Sequence, residues 1–229
     1  MFSLEFCINL RPSVSIVIPT YKRNKFKKLI EHNIKCQDYT NIKEVIICQD
    51  DNEEDFVLDV PYDIIYIRKK SKMNLGDKRN LLCSYCNSDI IAHIDTDDFY
   101  LPTYISHSVE NLVKSKKDVA GTADMFIYFL KEKKKCQLIN YLYSKCNEAT
   151  LVYRKSYWEK NKFGSNLQEG IKFLEKNSHR IFDTDIKKLM VCLAHETNTI
   201  NKQCWFKNEY KGEEFPCLDK LDDLINNKI

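Results

Sequence analysis

Glycine and proline are scarce, five of each among 229 residues. That scarcity excludes collagen-like repeats. With 43% hydrophobic and 30% charged residues it also argues against intrinsic disorder and against flexible linkers. No charge of one sign dominates: 36 Lys and Arg face 33 Asp and Glu, a formal net charge of +3. The balance therefore points to neither nucleic acid nor an anionic membrane. No run approaches the eighteen apolar residues of a membrane span, so no transmembrane segment is expected. Met1–Leu10 lacks the basic start and long apolar stretch of a secretory signal, and a cytoplasmic location is the expectation. What remains is the composition of a compact globular chain large enough to bury a core.

Cysteine is plentiful, ten in all, but the residues are dispersed, and several fall inside apolar segments where a free thiol packs as a small hydrophobe. Cys83 and Cys86 have the spacing of a redox or zinc half-site. No second pair matches them and their surroundings read as helical, so a structural role is the simpler expectation.

From Ser13 the chain alternates strand and helix. Val14–Ile18 reads as a short apolar strand stopped by Pro19, which cannot supply a central ladder donor, Lys25–Cys36 as a helix, Glu44–Cys48 and Ile64–Ile67 as strands. A helix from Asp77, a strand at Ile90–Ile94 and a helix over Tyr104–Lys114 follow. Beyond about residue 120 the pattern is less regular: strands are expected at Val119–Thr122, Met125–Leu130 and Asn147–Tyr153. A helix over Leu167–Asn177 should turn Ile171, Phe173 and Leu174 inward, and Leu218, Leu221, Leu224 and Ile225 should pack a last helix on the body. The alternation predicts an α/β, Rossmann-like fold with a mostly parallel central sheet and flanking helices, whose ligands gather beyond the carboxyl ends of the strands.

The unusual polar clusters fall at those ends: Pro19-Thr20-Tyr21, Asp50-Asp51-Asn52 and Asp95-Thr96-Asp97-Asp98. Three carboxylates within four residues after a buried strand repel one another, and a divalent cation is the simplest compensation. Oxygen donors with no Cys or His beside them favour Mg²⁺ or Mn²⁺ over zinc. An acidic loop capping the next helix is the plainer alternative. Asp50 and Asp51 fit either a turn or an acceptor pair for a base or ribose. Arg79, in a basic span, suits phosphate oxygens or the architecture of the site. His195 ends an apolar run, and Glu169 starts a helix, where acids commonly offset the dipole.

In this order the motifs resemble the nucleotide-sugar glycosyltransferases of the A-type fold, more narrowly glycosyltransferase family 2. The residues that carry the resemblance are Ser15-Ile16-Val17-Ile18-Pro19-Thr20-Tyr21, Asp50-Asp51-Asn52, Gly76-x-x-Arg79-Asn80 and Asp95-Thr96-Asp97-Asp98, over roughly residues 13–200. The resemblance implies a single glycosyltransferase domain over 1–229. Its parts would be a nucleotide-sugar-binding half over 13–105, an acceptor-side half over 106–204 and a packing extension over 205–229. It implies that Pro19, Thr20, Tyr21, Asp50, Asp51, Arg79, Asp95 and Thr96 contact the donor, with Tyr21 on the base. Asp95, Asp97, Asp98 and His195 would hold Mn²⁺ or Mg²⁺.

The implied reaction is metal-dependent inverting transfer from a nucleoside-diphosphate sugar, a UDP-sugar favoured, to a hydroxyl of a glycan, protein or small molecule. A homodimer is left open. The family often carries a Glu-Asp pair where this chain has Glu169-Gly170. Glu169 is then the expected base, with Glu148 and Asp185 the next carboxylates to consider. Two other readings stand beside it. One is a nucleotide-sugar-binding protein without catalysis. The other is a nucleotidyltransferase, disfavoured because Pro19-Thr20-Tyr21-Lys22-Arg23-Asn24 holds no glycine for a triphosphate loop.

Overall fold

The computed structural model describes residues 11–139, 146–165, 169–218 and 220–225. The expectations for Met1–Leu10, Leu167 and Gln168, and the placing of Cys7, lie outside these residues. In chain order the elements are β1 (Val14–Thr20), α1 (Lys27–Lys35), β2 (Ile42–Gln49), β3 (Asp63–Arg68), α2 (Leu75–Ser84), β4 (Ile90–His93), β5 (Phe99–Tyr100) and α3 (Tyr104–Ser115). There follow β6 (Val119–Gly121), β7 (Met125–Phe129), β8 (Lys134–Leu138), β9 (Val152–Arg154), α4 (Lys155–Lys160), α5 (Glu169–Leu174), β10 (Ile181–Asp183), β11 (Met190–Ala194) and α6 (Leu221–Ile225).

A seven-stranded sheet has the order β10-β6-β9-β4-β1-β2-β3. β1 lies parallel to β2 and β4, β3 parallel to β2, and β10 parallel to β6; β9 runs antiparallel to both of its neighbours. A second sheet, β5-β11-β7-β8, packs beside it. The mostly parallel α/β architecture predicted from the alternation is the one observed.

β1 is buried at every position, which explains its largely apolar sequence, and it runs on through Pro19 to Thr20, paired with Cys48 and Gln49 of β2, where the sequence predicted a stop at Pro19. Val14, Ile16 and Ile18 face one core with α1, α3 and the second sheet. Val17 faces the other, with Leu82 of α2, Trp158 of α4 and Phe173 of α5. Burying these two faces fixes the register of the strand and, with it, where Thr20 emerges. α6 is short, but Leu221 is buried and Leu224 and Ile225 pack on the same core as α1, as the helical spacing predicted.

Two local expectations change. Asn147–Tyr153 is not one strand: the Asn147 side chain accepts from Ala149 N, pinning a 3-10 turn at Glu148–Thr150 before β9 begins. Ile171 is 43% exposed, because α5 turns Gly170, Phe173 and Leu174 inward and leaves Ile171 on the outer side. Cys36, Cys48, Cys83, Cys86, Cys136, Cys192, Cys204 and Cys217 are free thiols. Cys83 and Cys86 are buried in the apolar core under α2, as a structural role requires. Among the described residues no helix is long and apolar enough to cross a membrane.

Candidate active site

At the carboxyl end of β1 the chain turns sharply without a glycine. Lys22 adopts φ 54°, a conformation that costs a non-glycine residue energy and needs support. The support is Asp51, whose carboxylate accepts from Lys22 N, from Gln49 Nε2 at 2.8 Å and from Glu53 N at 2.9 Å. Burial works against the Asp51 charge, but these hydrogen bonds outweigh it and hold the carboxyl below its ordinary range. Asp50 is also spent inside the protein. It accepts from Met73 N at 2.6 Å and pairs with Lys78 at 2.5 Å, and Lys78 Nζ also donates to Thr20 O at 3.1 Å. Asp50 and Asp51 thus brace the loops after β1 and β3; neither lines the cavity.

That cavity, about 840 Å³, opens where the ends of β1 and β4 meet α2 and the start of α5. Pro19, Thr20 and Tyr21 form one wall, Asp95, Thr96 and Asp97 another, and Glu169 closes the side opposite. Arg23, Lys72 and Lys78 add positive charge to it. Lys72 Nζ stands 4.4 Å from the Tyr21 ring centroid, with Lys22 and Lys78 at 5.6 and 5.9 Å, so this corner is cationic as well as aromatic.

Arg79 does not reach the cavity. It is 1% exposed and spends its donors on protein groups: Glu169 at 3.3 Å, Asp95 at 3.1 Å and His93 Nδ1 at 2.5 Å. His93 Nε2 meets Tyr153 Oη at 2.6 Å, which in turn meets Cys83 Sγ at 3.1 Å. Burial and the Arg79 charge push the His93 ring well below its ordinary value, so it stays neutral. Arg79 therefore fixes two carboxylates of the cavity wall in place. The remainder of Gly76-x-x-Arg79-Asn80 anchors the neighbouring loop. Asn80 donates to Phe163 O at 3.0 Å and accepts from Phe163 N at 3.0 Å, and a Cβ on Gly76 would lie 1.7 Å from Gly164 O. Only glycine permits that approach, which brings Glu169 up to the cavity.

The three acids after β4 face three ways. Asp95 faces Arg79. Asp97 meets His195 Nε2 at 3.2 Å, Arg23 at 3.3 Å and Asn198 Nδ2 at 3.4 Å. Burial disfavours its charge, but these partners and Lys202 hold its carboxyl well below the usual range. Asp98 turns inward, accepts from Leu193 N at 3.0 Å and lies 3.9 Å from Lys202 Nζ. Burial pushes it up to about 7, against the pull of Lys202. The repulsion that sequence reasoning assigned to a divalent ion is thus met by Arg79, Arg23 and Lys202. Among the described residues no three His, Cys, Asp or Glu side chains are grouped to hold a metal.

A smaller donor set does fit a cation. Thr197 N donates to His195 Nδ1 at 3.2 Å, so the ring proton sits on Nε2 and faces Asp97. That leaves the carboxylates of Asp97 and Asp95, on the same wall, as the oxygen donors suited to Mn²⁺ if phosphate oxygens complete the set. Arg23 holds the position of positive charge there, and its donation to Thr197 O at 3.0 Å ties the His195 segment to the loop after β1.

Sequence reasoning singled out seven residues on the cavity wall: Pro19, Thr20, Tyr21, Asp95, Thr96, Asp97 and Glu169. It missed Arg23 and Lys78 as site residues; the signal for Lys78 was a charge on the face of α2 that packs against β1, next to Arg79. It missed the buried His93 as well, which the apolar strand concealed. Asp185, weighed as a reserve base, caps the turn at Ile186–Lys188 by accepting from Lys187 N at 2.9 Å.

The family model described as Glycosyl transferase family 2 matches residues 15–181. No curated protein matches the sequence. Among solved structures, TarS 1-349 of S. aureus superposes with TM-score 0.59 at 15% identity over 79% of this chain and 60% of that one. TarS 1-349 in complex with UDP-GlcNAc gives 0.60 at 13% identity over 86% and 61%. The mannosyltransferase PcManGT from Pyrobaculum calidifontis, in complex with GDP-Man and Mn2+, gives 0.62 at 11% identity over 85% and 60%. The chain thus spans about three fifths of the length of these three neighbours.

Proposed function

The chain belongs to glycosyl transferase family 2, and from that premise we propose that it moves a sugar from a nucleoside-diphosphate sugar to an acceptor hydroxyl of a glycan, a protein or a small molecule. The observation that carries the proposal is the cavity at the carboxyl ends of β1 and β4, where Thr20 and Tyr21, Asp95 to Asp97 and Glu169 share one wall space with Arg23, Lys72 and Lys78. Cations beside carboxylates suit a ligand that carries both phosphates and hydroxyls.

In this reading Tyr21 and Thr20 flank the nucleotide, and Arg23 and Lys72 bind diphosphate oxygens. Asp95 and Thr96 receive the ribose. Asp97 and Asp95 are the residues that would hold Mn²⁺ or Mg²⁺, with His195 orienting Asp97; when bound, the ion would neutralise charge on the leaving diphosphate. The PcManGT structure with GDP-Man and Mn2+ supports including a divalent ion. A UDP-sugar is the favoured donor, supported by the TarS complex with UDP-GlcNAc.

Glu169, on the wall and oriented by Arg79, meets the acceptor hydroxyl. One positioned base serves an inverting displacement, in which the hydroxyl oxygen attacks the anomeric carbon from the face opposite the nucleotide. Of the basic segment, Lys72, Met73 and Asn74 line the cavity and shield the donor from water.

The test is a thermal-shift screen of UDP-, GDP- and dTDP-sugars with and without Mn²⁺, followed by turnover on each hit. A stabilising donor and released nucleoside diphosphate are expected, and Glu169→Gln should lose transfer while keeping donor binding. A folded chain that binds no nucleoside diphosphate under either condition would end the proposal.

A further inference from the structure

β3 is the last strand of the seven-stranded sheet, paired with β2 on one side and, among the described residues, with no strand on the other. Along a strand the backbone groups of successive residues point to alternate sides. Lys69 N donates to Gln49 O at 2.8 Å, which carries the ladder one residue past the end of β3. Asp63, Ile65 and Ile67 therefore turn their N–H and C=O groups toward β2, and Ile64, Tyr66 and Arg68 turn theirs outward.

Tyr66 and Arg68 keep their side chains engaged within the chain: Tyr66 Oη donates to Gln49 Oε1 at 2.6 Å, and Arg68 pairs with Asp55 at 3.1 Å. What the edge offers is backbone, in a strand that contains no proline. Such an edge is a template for another strand unless something covers it.

A second copy of the same strand fits it. Two copies related by a twofold axis run antiparallel, and only residues that face outward can exchange hydrogen bonds. The register that pairs all the outward residues sets Tyr66 opposite the partner's Tyr66 and Ile64 opposite the partner's Arg68. A shift of the register in either direction loses one of these pairs. The same register sets Asp63, which is exposed, opposite the partner's Lys69, which is half-buried. In the neighbouring registers Asp63 would face the partner's Ile67 or the partner's Ser71, neither of them a cation. Ile65 and Ile67, which pack on the core under α2, come opposite one another and extend that core across the axis. The register with the most hydrogen bonds is thus also the one in which the charges match.

We propose that the chain forms a twofold dimer through β3, joining two seven-stranded sheets edge to edge with Asp63 opposite the partner's Lys69. The pairing would hold Lys69 in strand geometry shortly before Lys72 on the cavity wall, so the interface also anchors the loop that lines the cavity. One strand pair is a small interface, and the dimer dissociates on dilution.

Sedimentation velocity of the full chain over about 1–100 µM should show a monomer–dimer equilibrium. Lys69→Asp sets like charges opposite one another on both sides of the axis and should weaken the dimer about tenfold or more. Asp63→Lys should do the same, and the double variant, with the charges exchanged, should return to within about threefold of wild type. Hydrogen exchange of the wild-type chain tests the backbone directly: the Ile64, Tyr66 and Arg68 amides should gain protection as concentration rises. Circular dichroism checks the fold of each variant. A wild-type chain that stays monomeric throughout overturns the interface. So does a dimer in which these amides exchange as they do in the monomer, a single variant as tight as wild type, or a double variant as weak as the single ones. Each of these outcomes leaves the transferase reading standing, since donor binding and turnover are measured separately.

Discussion

His195 Nε2 stands 3.2 Å from Asp97 Oδ2, across 98 residues of sequence. The contact joins the end of β11 to the end of β4. Arg23 extends it to the loop after β1 through its ion pair with Asp97, and Phe26 packs its ring 4.9 Å from the His195 ring. Three separate segments therefore close one rim of the cavity around a single carboxylate.

Asp97→Asn keeps the shape and hydrogen-bonding capacity of the side chain but removes its charge. Turnover should then need about tenfold or more Mn²⁺ for half-activation, since even partners one step removed from a metal typically contribute that much. The thermal midpoint should fall as well, because a carboxyl held below its usual range stabilises the fold through its charge. A Mn²⁺ titration of turnover beside a melting curve checks both, and full activity at limiting Mn²⁺ would contradict the assignment.

Lys78 and Asp50 form an ion pair at 2.5 Å whose side chains are 5% and 0% exposed. Lys78→Met leaves Asp50 buried with only the Met73 N–H as partner. The expected cost is about 3–5 kcal/mol of folding stability, because one charge remains without its counterpart. Lys78→Met with Asp50→Asn should recover part of that cost. Urea unfolding of the three chains measures it; a single variant within about 1 kcal/mol of wild type would show that the pair is not braced as described.

His93 is neutral in the folded chain, wedged between Arg79 and Tyr153, with its pKa well below the ordinary value of 6.5. Unfolding frees it to take up a proton below that value. Its contribution is present above pH 6.5 and is lost as pH falls, by about 1.4 kcal/mol for each unit. Asp98, raised to about 7, acts in the opposite sense, its burdened charge lowering stability as pH rises from about 4. The informative quantity is therefore the difference between wild type and His93→Gln. The stability gap should narrow between pH 7 and pH 5.5 in urea unfolding; a constant gap would show that folding leaves the His93 pKa unshifted, and a widening gap that His93 is charged in the fold.

Much of the scaffold was legible in the sequence because it depends on local pattern. Continuous apolar runs such as Val14–Ile18 mark strands buried on both faces, and the spacing of Leu29, Ile30 and Ile34 marks a helix. Strand and helix in alternation leave a parallel sheet as the packing that buries both. That Thr20 and Asp95 to Asp97 would share the edge that holds the cavity was legible for the same reason: they follow the strands at the end where ligands collect.

What the sequence determined by itself is this order of elements and the edge at which the polar clusters emerge. Only the tertiary structure decided which way each side chain faces. It turned Asp50, Asp51, Asp98 and Arg79 toward protein partners, brought Lys78 under Thr20, and set Glu148 against Gly170. The reason is physical: burial of an apolar run is decided by neighbours a few residues away. The partner of a buried charge is decided by the sheet order, which lays β1 between β2 and β4 and sets β9 antiparallel between β4 and β6.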